Sequence, residues 1–266
     1  MQNTIHPRDL IVGLQKGLAL IQLFSKTCPK LTVAQTAKMS GLTQSAARRF
    51  LLTLLHERYL QTDGRYYWLT PKTLRLGQAY VDSAQFPRMV RPIVEYIASR
   101  TEEHASVGVV DEDELVYIAR SRHTPFNSTS VRLGERVPIF CTAGGRLWLA
   151  SLPEAECETV LQRITREQRT PYTVTDIASL MEKIAQVRRQ GYATIEQEFE
   201  IGMLVLAVPL TDREGTWWGA LSLTSHQSRT SLEALCRDHL DLLYSARRCW
   251  WVKQGSQWRC PKIDVA

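Results

Sequence analysis

The N-terminal third of the chain shows the spacing of apolar residues that is typical of helices. Residues 44–58 read QSAARRFLLTLLHER, and their apolar members recur at i, i+3, i+4, i+7 and i+8. The side chains on this predicted core face are Ala47, Phe50, Leu51, Leu54 and Leu55. A second helix is predicted over residues 10–25, with Leu14 and Leu18 directed towards the core.

The segment between these helices contains the signals of a helix-turn-helix. Thr32 and Gln35 have the spacing of a capping box, which predicts that a short helix begins after Thr32. Gly41 ends that helix, because glycine readily adopts the left-handed conformation of the turn. Thr43 is predicted to cap the helix of residues 44–58.

A hairpin follows the helices and completes a recognisable unit. Two β-prone runs, residues 59–62 and 65–69, flank the dipeptide Asp63-Gly64, which favours a two-residue hairpin turn. A helix, a helix-turn-helix and a hairpin together predict a winged helix-turn-helix over residues 10–70.

The remainder of the chain predicts an α+β domain. Residues 71–86 are interpreted as a helical linker, residues 87–250 as the second domain and residues 251–266 as a C-terminal extension. Strands are predicted at residues 105–110, 115–120, 128–133, 203–210 and 217–224, and helices at residues 71–84, 89–100, 142–151, 153–164, 176–190 and 232–248. Strands followed by helices and a returning hairpin are typical of an α+β fold.

Charge is distributed unevenly between these parts. The chain has 33 Lys and Arg against 27 Asp and Glu, a net charge of +6. Residues 1–72 carry ten basic and three acidic side chains, whereas residues 73–244 carry 18 basic and 23 acidic side chains. A basic unit on an acidic body is expected when one part contacts a polyanion, although an unevenness without function is the alternative.

The basic unit predicts double-stranded DNA as a partner, because arginine binds both phosphates and base edges. The residues expected in or beside the major groove are Gln44, Ser45, Arg48 and Arg49. Arg65 at the hairpin tip is expected to reach phosphate or the minor groove, and Thr32 and Thr43 to lie next to phosphates. A helical cap with merely solvated arginines is the alternative.

Composition and motifs argue against several other classes. The chain is 44% hydrophobic and 23% charged, as expected of a protein with a buried core. No apolar run reaches the ~20 residues of a membrane helix, and the first residues lack the apolar core of a secretory signal, so we expect a soluble cytoplasmic protein that does not bind membranes. The six cysteines and six histidines lack ligand spacing, so reduced thiols and no metal are expected. Nucleotide and hydrolase motifs are also lacking, so we predict no cofactor and no catalytic residue.

Several segments resemble the IclR family of bacterial transcriptional regulators. They are LTVAQTAKMSGLTQSAARRFLLTL, DGRYYWLTPKTLRLG, LGERVPIFCTAGGRLWLA and QGYATIEQEFEIGMLVLAVPL. The AARRF and LTPKTLRLG segments are most similar to the branch that regulates protocatechuate and p-hydroxybenzoate degradation. The resemblance covers residues 10–250 and implies a dimer or a dimer of dimers, with a GAF-like domain that binds a small organic acid as effector.

The resemblance also implies which residues bind the effector. They are Val137, Ala143, Gly144, Val205, Ser222 and Thr224. Backbone N–H groups at the start of the helix that contains Ala143 suit a carboxylate, and Ser222 and Thr224 alternate so that both hydroxyls face one ligand. Some relatives have cysteine where this chain has Val205, and the valine favours an aromatic acid. Ordinary sheet hydroxyls are the alternative for the two polar residues.

Other side chains of this region have competing interpretations. Arg146 stands where the family usually has lysine and could pair with an effector carboxylate, although we favour a surface or interdomain ion pair. Cys141 is expected to be buried and inert, and Phe126 and Trp148 to fill the core rather than to line a pocket. The tryptophan-rich extension is expected to be poorly ordered, with nucleic-acid contact as the alternative.

Two other classes of function compete with a DNA-binding regulator. One is an enzyme that acts on a small organic acid and has an accessory DNA-binding domain. Glu196, Glu198 and Glu200 alternate on one side of a predicted strand and suggest acid chemistry, although solvated or hydrogen-bonded carboxylates are the simpler interpretation. The other class, a sensor that binds only proteins, leaves the basic helix unexplained. We therefore predict a transcriptional regulator controlled by a small aromatic acid.

Overall fold

The chain divides into two structural units, one for each of the two predicted domains. The structure, a computed structural model, describes residues 5–121, 132–212 and 214–251. Unit 1 ends at Ser83 and unit 2 begins at Ala84. This division falls inside the predicted linker, and the exact boundaries of linker and domains stay a prediction. No helix within the described ranges has the length and apolar character that a membrane span requires.

Unit 1 contains the predicted winged helix-turn-helix. Its elements are α1 (Val12–Gln22), α2 (Val33–Ser40), α3 (Gln44–His56), β1 (Leu60–Thr62), β2 (Tyr67–Leu69) and α4 (Leu74–Ser83), with short 3-10 helices at Pro7–Asp9 and Pro71–Thr73. Strands β1 and β2 pair antiparallel, and Leu31 forms a further bridge to Tyr67. The hairpin is thereby joined to the segment that precedes α2.

The predicted caps set the geometry of the helix-turn-helix. The Thr32 hydroxyl accepts a hydrogen bond from the Gln35 N–H at 3.3 Å, and the Gln35 side chain accepts one from the Thr32 N–H at 2.9 Å. Gly41 has a φ of 67°, which allows α2 to end in the left-handed conformation. The Thr43 hydroxyl accepts a hydrogen bond from the Ala46 N–H at 3.2 Å, so α3 begins where the sequence predicts.

The core of unit 1 confirms the predicted face of α3 and corrects that of α1. Ala47 and Leu51 are fully buried. Leu14 and Leu18 were expected in the core, but they are 60% and 49% exposed. The prediction is wrong because the core of unit 1 reaches only Leu20 of α1. Leu14 and Leu18 do have helical spacing, but the side of α1 that carries them is exposed.

Unit 2 is an antiparallel sheet between helices. Its helices are α5 (Gln85–Thr101), α6 (Ala143–Ser151), α7 (Glu154–Arg163), α8 (Ile177–Gln190) and α9 (Leu232–Trp251). Its strands are β3 (His104–Asp111), β4 (Glu114–Arg120), β5 (Arg136–Pro138), β6 (Ala193–Glu196), β7 (Met203–Thr211) and β8 (Trp217–His226). The strand order is β5-β4-β3-β8-β7-β6, and all neighbours are antiparallel. The α+β prediction is confirmed.

The two faces of this sheet have different partners. Even-numbered residues of β7, such as Leu206, join Leu221 and the apolar residues of α5 and α9 in one core. Odd-numbered residues, such as Val205, join Ala143 of α6 and Ala220 of β8 in another. We call the second side the α6 face of the sheet.

Two short strands were not predicted. Both β5 and β6 lie at the edges of the sheet and are too short, at three and four residues, to show an alternating pattern. Residues 128–131 of the strand predicted at 128–133 lie outside the described residues, and residues 132 and 133 are not in a strand. Phe126 and residues 252–266 also lie outside the described ranges.

Candidate functional sites

The outward side of α3 carries exposed polar and basic residues. Gln44, Ser45, Arg48 and Arg49 are all exposed, and we call these four residues the α3 outer face. Neither arginine forms an ion pair with another residue of the described part of the chain. The face therefore presents two positive charges directly to solvent.

Thr32 and Thr43 use their hydroxyls locally. The Thr32 hydroxyl also donates to Gln35 Oε1 at 3.0 Å, and Thr43 Oγ1 accepts from the Ala46 N–H. Their role as caps is confirmed by this geometry. Their predicted contact with phosphates stays a prediction.

The tip of the hairpin is held by its own turn chemistry. The Asp63 carboxylate accepts hydrogen bonds from the backbone N–H groups of Tyr66 at 2.7 Å and Arg65 at 2.9 Å. These two bonds lower the pKa of Asp63, because they favour its charged form. Gly64 has a φ of 94°, and the exposed Arg65 guanidinium lies 5.3 Å from the centre of the Tyr66 ring. The turn thus fixes a cation at the end of the wing.

The predicted effector residues of β7 and β8 lie side by side on the α6 face. Val205 is the cross-strand partner of Thr224, and Ser222 that of Ala207. Ser222 is 3% exposed and Thr224 is 7% exposed. Ala143 joins Val205 in the same apolar cluster. The structure therefore brings these predicted residues together.

Val137 lies apart from that group. It is in β5, paired with Leu115 of β4, and it packs in a separate cluster with Ile139 and Cys141. Three strand steps separate β5 from β8, which corresponds to roughly 14 Å across the sheet. Its predicted role stays a prediction without support from this arrangement.

Two glycines allow the start of α6 to lie directly on the sheet. A Cβ atom on Gly144 would lie 2.9 Å from a methyl carbon of Leu115 and 3.1 Å from the Cβ of Ala220. A Cβ atom on Gly145 would lie 2.2 Å from the backbone oxygen of Ile139. The N-cap residue Thr142 does not cap the helix, because its hydroxyl donates to the Pro138 oxygen at 2.8 Å. The first N–H groups of α6 are therefore left without a side-chain cap.

Arg146 lies in the interior of unit 2 and not at the expected surface or interdomain position. It is 2% exposed, and its guanidinium donates to both carboxylate oxygens of Glu198, at 2.7 and 2.6 Å. Its Nε donates to the Phe140 oxygen at 3.0 Å, and Glu198 also accepts from the Val174 N–H at 3.2 Å. The interpretation as a surface or interdomain pair is wrong. Arg146 is buried inside unit 2, and the charge that an effector carboxylate would need is already paired with Glu198.

The same pair corrects the interpretation of the glutamates. Strand β6 ends at Glu196, so Glu196, Glu198 and Glu200 do not share one side of a strand. Glu198 is a buried, ion-paired carboxylate rather than a free acid. This favours the simpler of the two interpretations made from the sequence.

Sequence reasoning missed two polar residues on the α6 face. His104 pairs with Thr224 across β3 and β8, and Ser106 pairs with Ser222. Cross-strand partners lie on the same side of a sheet, and His104 and Ser106 are 7% and 1% exposed. We call His104, Ser106, Ser222 and Thr224 the polar stripe. The polar–apolar alternation of residues 104–107 was the signal that could have revealed it.

Two further residues have the environments that the sequence predicts. Cys141 is fully buried, and burial raises the pKa of its thiol to about 12, so it stays protonated and unreactive at neutral pH. Trp148 is half-buried and packs against the cluster that contains Val137. Both residues therefore have a packing role.

Comparison with known proteins assigns both units to one family. Residues 13–64 match the IclR helix-turn-helix domain, and residues 78–248 match the IclR C-terminal domain of bacterial transcriptional regulators. The chain is 35% identical over 241 residues to the Pca regulon regulatory protein of Pseudomonas putida, and the match covers 90% of this chain and 83% of that protein. It is 33% identical over 247 residues to the p-hydroxybenzoate hydroxylase transcriptional activator of Acinetobacter baylyi, and the match covers 90% of each.

A solved structure is similar to unit 2. It is the inducer-binding domain of a PobR double mutant from Acinetobacter in complex with 3-hydroxybenzoic acid. The superposition has a TM-score of 0.58 at 28% identity, and it covers 62% of this chain and 97% of that chain. The two matched domains extend over most of the chain, and each coincides with one of the two units. The chain therefore belongs to the IclR family of bacterial transcriptional regulators.

Proposed function

We propose that this regulator binds a DNA operator through unit 1 and that a small aromatic acid bound in unit 2 controls the binding. The observation that carries the DNA-binding part is the α3 outer face, where Arg48 and Arg49 are exposed and unpaired among the described residues. An exposed second helix of this kind enters the major groove, and a basic wing contacts the adjacent backbone. Arg65 is the wing residue in this chain.

The effector site is proposed on the α6 face, between the start of α6 and strands β7 and β8. The N–H groups of Ala143 and Gly144 suit a carboxylate because they lie at a helix N-terminus without a side-chain cap. Arg146 does not serve, since Glu198 already neutralises it. Val205 supplies an apolar wall, and Ser222 and Thr224 supply hydroxyls. The 3-hydroxybenzoic acid bound to the related PobR domain supports an aromatic acid.

We infer that the chain forms homodimers. Helix α1 and the residue before it expose four large apolar side chains, which a second copy of the chain would cover: Ile11, Val12, Leu14 and Leu18. Two such units would bind half-sites about 34 Å apart, or a multiple of that distance, as two-fold symmetric winged-helix dimers do.

We infer further that the chain is a regulator and not an enzyme, and that it acts in the cytoplasm. The enzyme interpretation relied on three glutamates on one side of a strand, but β6 ends at Glu196 and Glu198 is paired with Arg146, so the three do not form one acidic site. Turnover of a bound aromatic acid by the purified protein would contradict this inference.

The experiment that tests the proposal is fluorescence anisotropy with DNA from upstream of the gene and its neighbours. Binding is measured at two salt concentrations, with and without 4-hydroxybenzoate and protocatechuate. We expect sequence-dependent binding that weakens with salt, and at least about tenfold weaker binding in the double variant Arg48→Ala/Arg49→Ala.

The control removes two positive charges from another surface. Lys183 and Arg189 are exposed in α8, so Lys183→Ala/Arg189→Ala lowers the net charge equally without touching α3. We expect this variant to bind like the wild type. Equal loss in both double variants would indicate non-specific electrostatics, and an acid-independent affinity would contradict effector control by these two acids.

A further inference from the structure

The polar stripe contains a buried histidine whose second nitrogen has no partner. His104 is 7% exposed, and its Nε2 atom is buried and makes no hydrogen bond to any group in the described ranges. Because buried polar atoms are nearly always hydrogen-bonded, an unpaired one calls for a partner. The histidine shares the α6 face with Thr224 and Val205, which are consecutive partners across β3, β8 and β7.

Ser121 holds one nitrogen of the ring and leaves the other available. Ser121 Oγ lies 2.9 Å from His104 Nδ1 and accepts a hydrogen bond from the Ala105 N–H at 3.3 Å. Because a hydroxyl has one proton and two lone pairs, the serine can either donate to Nδ1 or accept from it. In the tautomer in which the serine donates, Nε2 carries the ring proton and is a hydrogen-bond donor. Burial lowers the pKa of His104 to about 4, with a smaller contribution from Arg120, so the ring is neutral.

The register gives the separation, along the sheet, between the position of His104 and the start of α6. Gly144 contacts the sheet at Ala220, and Thr224, the partner of His104, lies four residues further along β8. Four residues of a strand span about 13 Å. A backbone separation of this size suits a ligand of roughly 7 Å with a hydrogen bond of about 2.8 Å at either end. A benzene ring with oxygen substituents at opposite positions has about this length.

We propose that His104 is a specificity-determining residue, whose Nε2–H donates a hydrogen bond to the para-hydroxyl oxygen of a hydroxybenzoate with its carboxylate at the first turn of α6. This inference rests on the proposed function and adds the required substitution pattern of the effector. A para-hydroxyl reaches the donor, whereas benzoate leaves Nε2 unpaired and a meta-hydroxyl is directed away from the line between the two ends. Ser121 is the positioning residue that holds the ring.

The test is calorimetric titration of the full-length protein with four acids: 4-hydroxybenzoate, protocatechuate, 3-hydroxybenzoate and benzoate. For the wild type we expect the first two to bind at least about tenfold more tightly than the last two, because a site built to bond a hydroxyl rejects the analogue that lacks it. In His104→Leu we expect this ratio to fall to near one, with weaker binding of 4-hydroxybenzoate and unchanged binding of benzoate. His104→Gln, which keeps an N–H donor, should recover part of the ratio.

A spectroscopic measurement distinguishes direct contact between His104 and the ligand from a purely structural role of His104. In nitrogen-15 spectra of the wild-type imidazole, Nε2 should show the protonated form and should shift on addition of 4-hydroxybenzoate but not of benzoate. This readout also decides the matter if His104→Leu fails to fold. Ser121→Ala should reduce the selectivity ratio less than His104→Leu does.

The outcomes that overturn the inference are distinct from those that overturn the proposed function. A folded His104→Leu variant that keeps the wild-type ratio, or a wild type that binds benzoate as tightly as 4-hydroxybenzoate, would overturn the role of His104 alone. A wild type that binds none of the four acids would overturn both proposals.

Discussion

At the residue scale, the Arg146–Glu198 pair differs from the other ion pairs among the described residues of unit 2, because both of its side chains are buried. Both side chains are almost fully buried, at 2% and 6% exposed, and the two residues are 52 positions apart in the chain. A buried pair pays a desolvation penalty, and good geometry with extra hydrogen bonds is needed to offset it. Here the Phe140 oxygen and the Val174 N–H provide those bonds. The pair ties α6 to the segment after β6.

The first prediction follows because removing one partner of a buried ion pair destabilises a protein more than replacing both partners. Arg146→Met leaves the Glu198 carboxylate buried without a compensating positive charge, so we expect the free energy of unfolding to fall by about 3–5 kcal/mol. The double variant Arg146→Met/Glu198→Gln should recover much of this loss, because the uncompensated charge is gone. Urea unfolding followed by tryptophan fluorescence measures both.

An exposed ion pair supplies the matched control. Arg237 and Asp238 form an ion pair with side chains 72% and 48% exposed. Exposed pairs of this kind contribute about 0–1 kcal/mol, so Arg237→Met should barely change the stability. If Arg146→Met were equally mild, the pair would not be the electrostatic anchor of unit 2.

At the element scale, the position of α6 depends on the absence of side chains. The helix begins against β4 and β8, and its second and third residues are glycines in contact with the sheet and with Ile139. Glycine inside a helix normally costs stability relative to alanine, so its presence here reflects the close approach. This approach brings the start of α6 to Ala220 of β8, two residues before Ser222 of the polar stripe.

The second prediction tests that approach. Gly145→Ala would put a Cβ atom 2.2 Å from the backbone oxygen of Ile139, so α6 must shift or unit 2 must lose stability. We expect a loss of about 1–3 kcal/mol, as for other overpacked sites, together with weaker binding of 4-hydroxybenzoate. Thermal unfolding and calorimetric titration measure the two effects.

A glycine in open space is the control for that substitution. Gly77 lies within α4, and a Cβ atom there would meet nothing within 4 Å. Gly77→Ala should therefore be neutral or stabilise the protein by up to about 1 kcal/mol, the helix-propensity difference. If Gly145→Ala behaved like Gly77→Ala, close packing of α6 would not explain the glycine.

At the scale of the whole molecule, the notable feature is that the apolar side of α1 is exposed to solvent. Leu14 and Leu18 are 60% and 49% exposed although they follow helical spacing. An exposed apolar patch on a soluble domain commonly marks an interaction site. A regulator that reads a two-fold symmetric operator needs such a contact between two copies.

The third prediction concerns the oligomeric state. We expect the wild type to sediment as a dimer or a larger even-numbered assembly, and Leu14→Lys/Leu18→Lys to shift it towards smaller species at equal concentration. Ile201→Lys, at a 59% exposed apolar position in unit 2, should leave the assembly unchanged. A monomeric wild type, or a double variant that sediments like the wild type, would contradict the role of α1.

Features whose cause is local could be predicted from the sequence. The capping box at Thr32, the turn at Gly41, the cap at Thr43 and the Asp63-Gly64 hairpin involve residues within a few positions of one another. None of these caps and turns requires a residue from elsewhere in the chain. The long β-prone runs that form β7 and β8 are also local signals, and both strands were predicted correctly.

Contacts between residues that are distant in the sequence became known only from the folded structure. Sheet register assembled the polar stripe from β3 and β8, and burial selected Glu198 as the partner of Arg146, 52 residues away. Apolar spacing in α1 indicated a helix but did not show whether this chain or another covers it. Pairings over long separations depend on the folded whole, because no signal within a local segment specifies its partner.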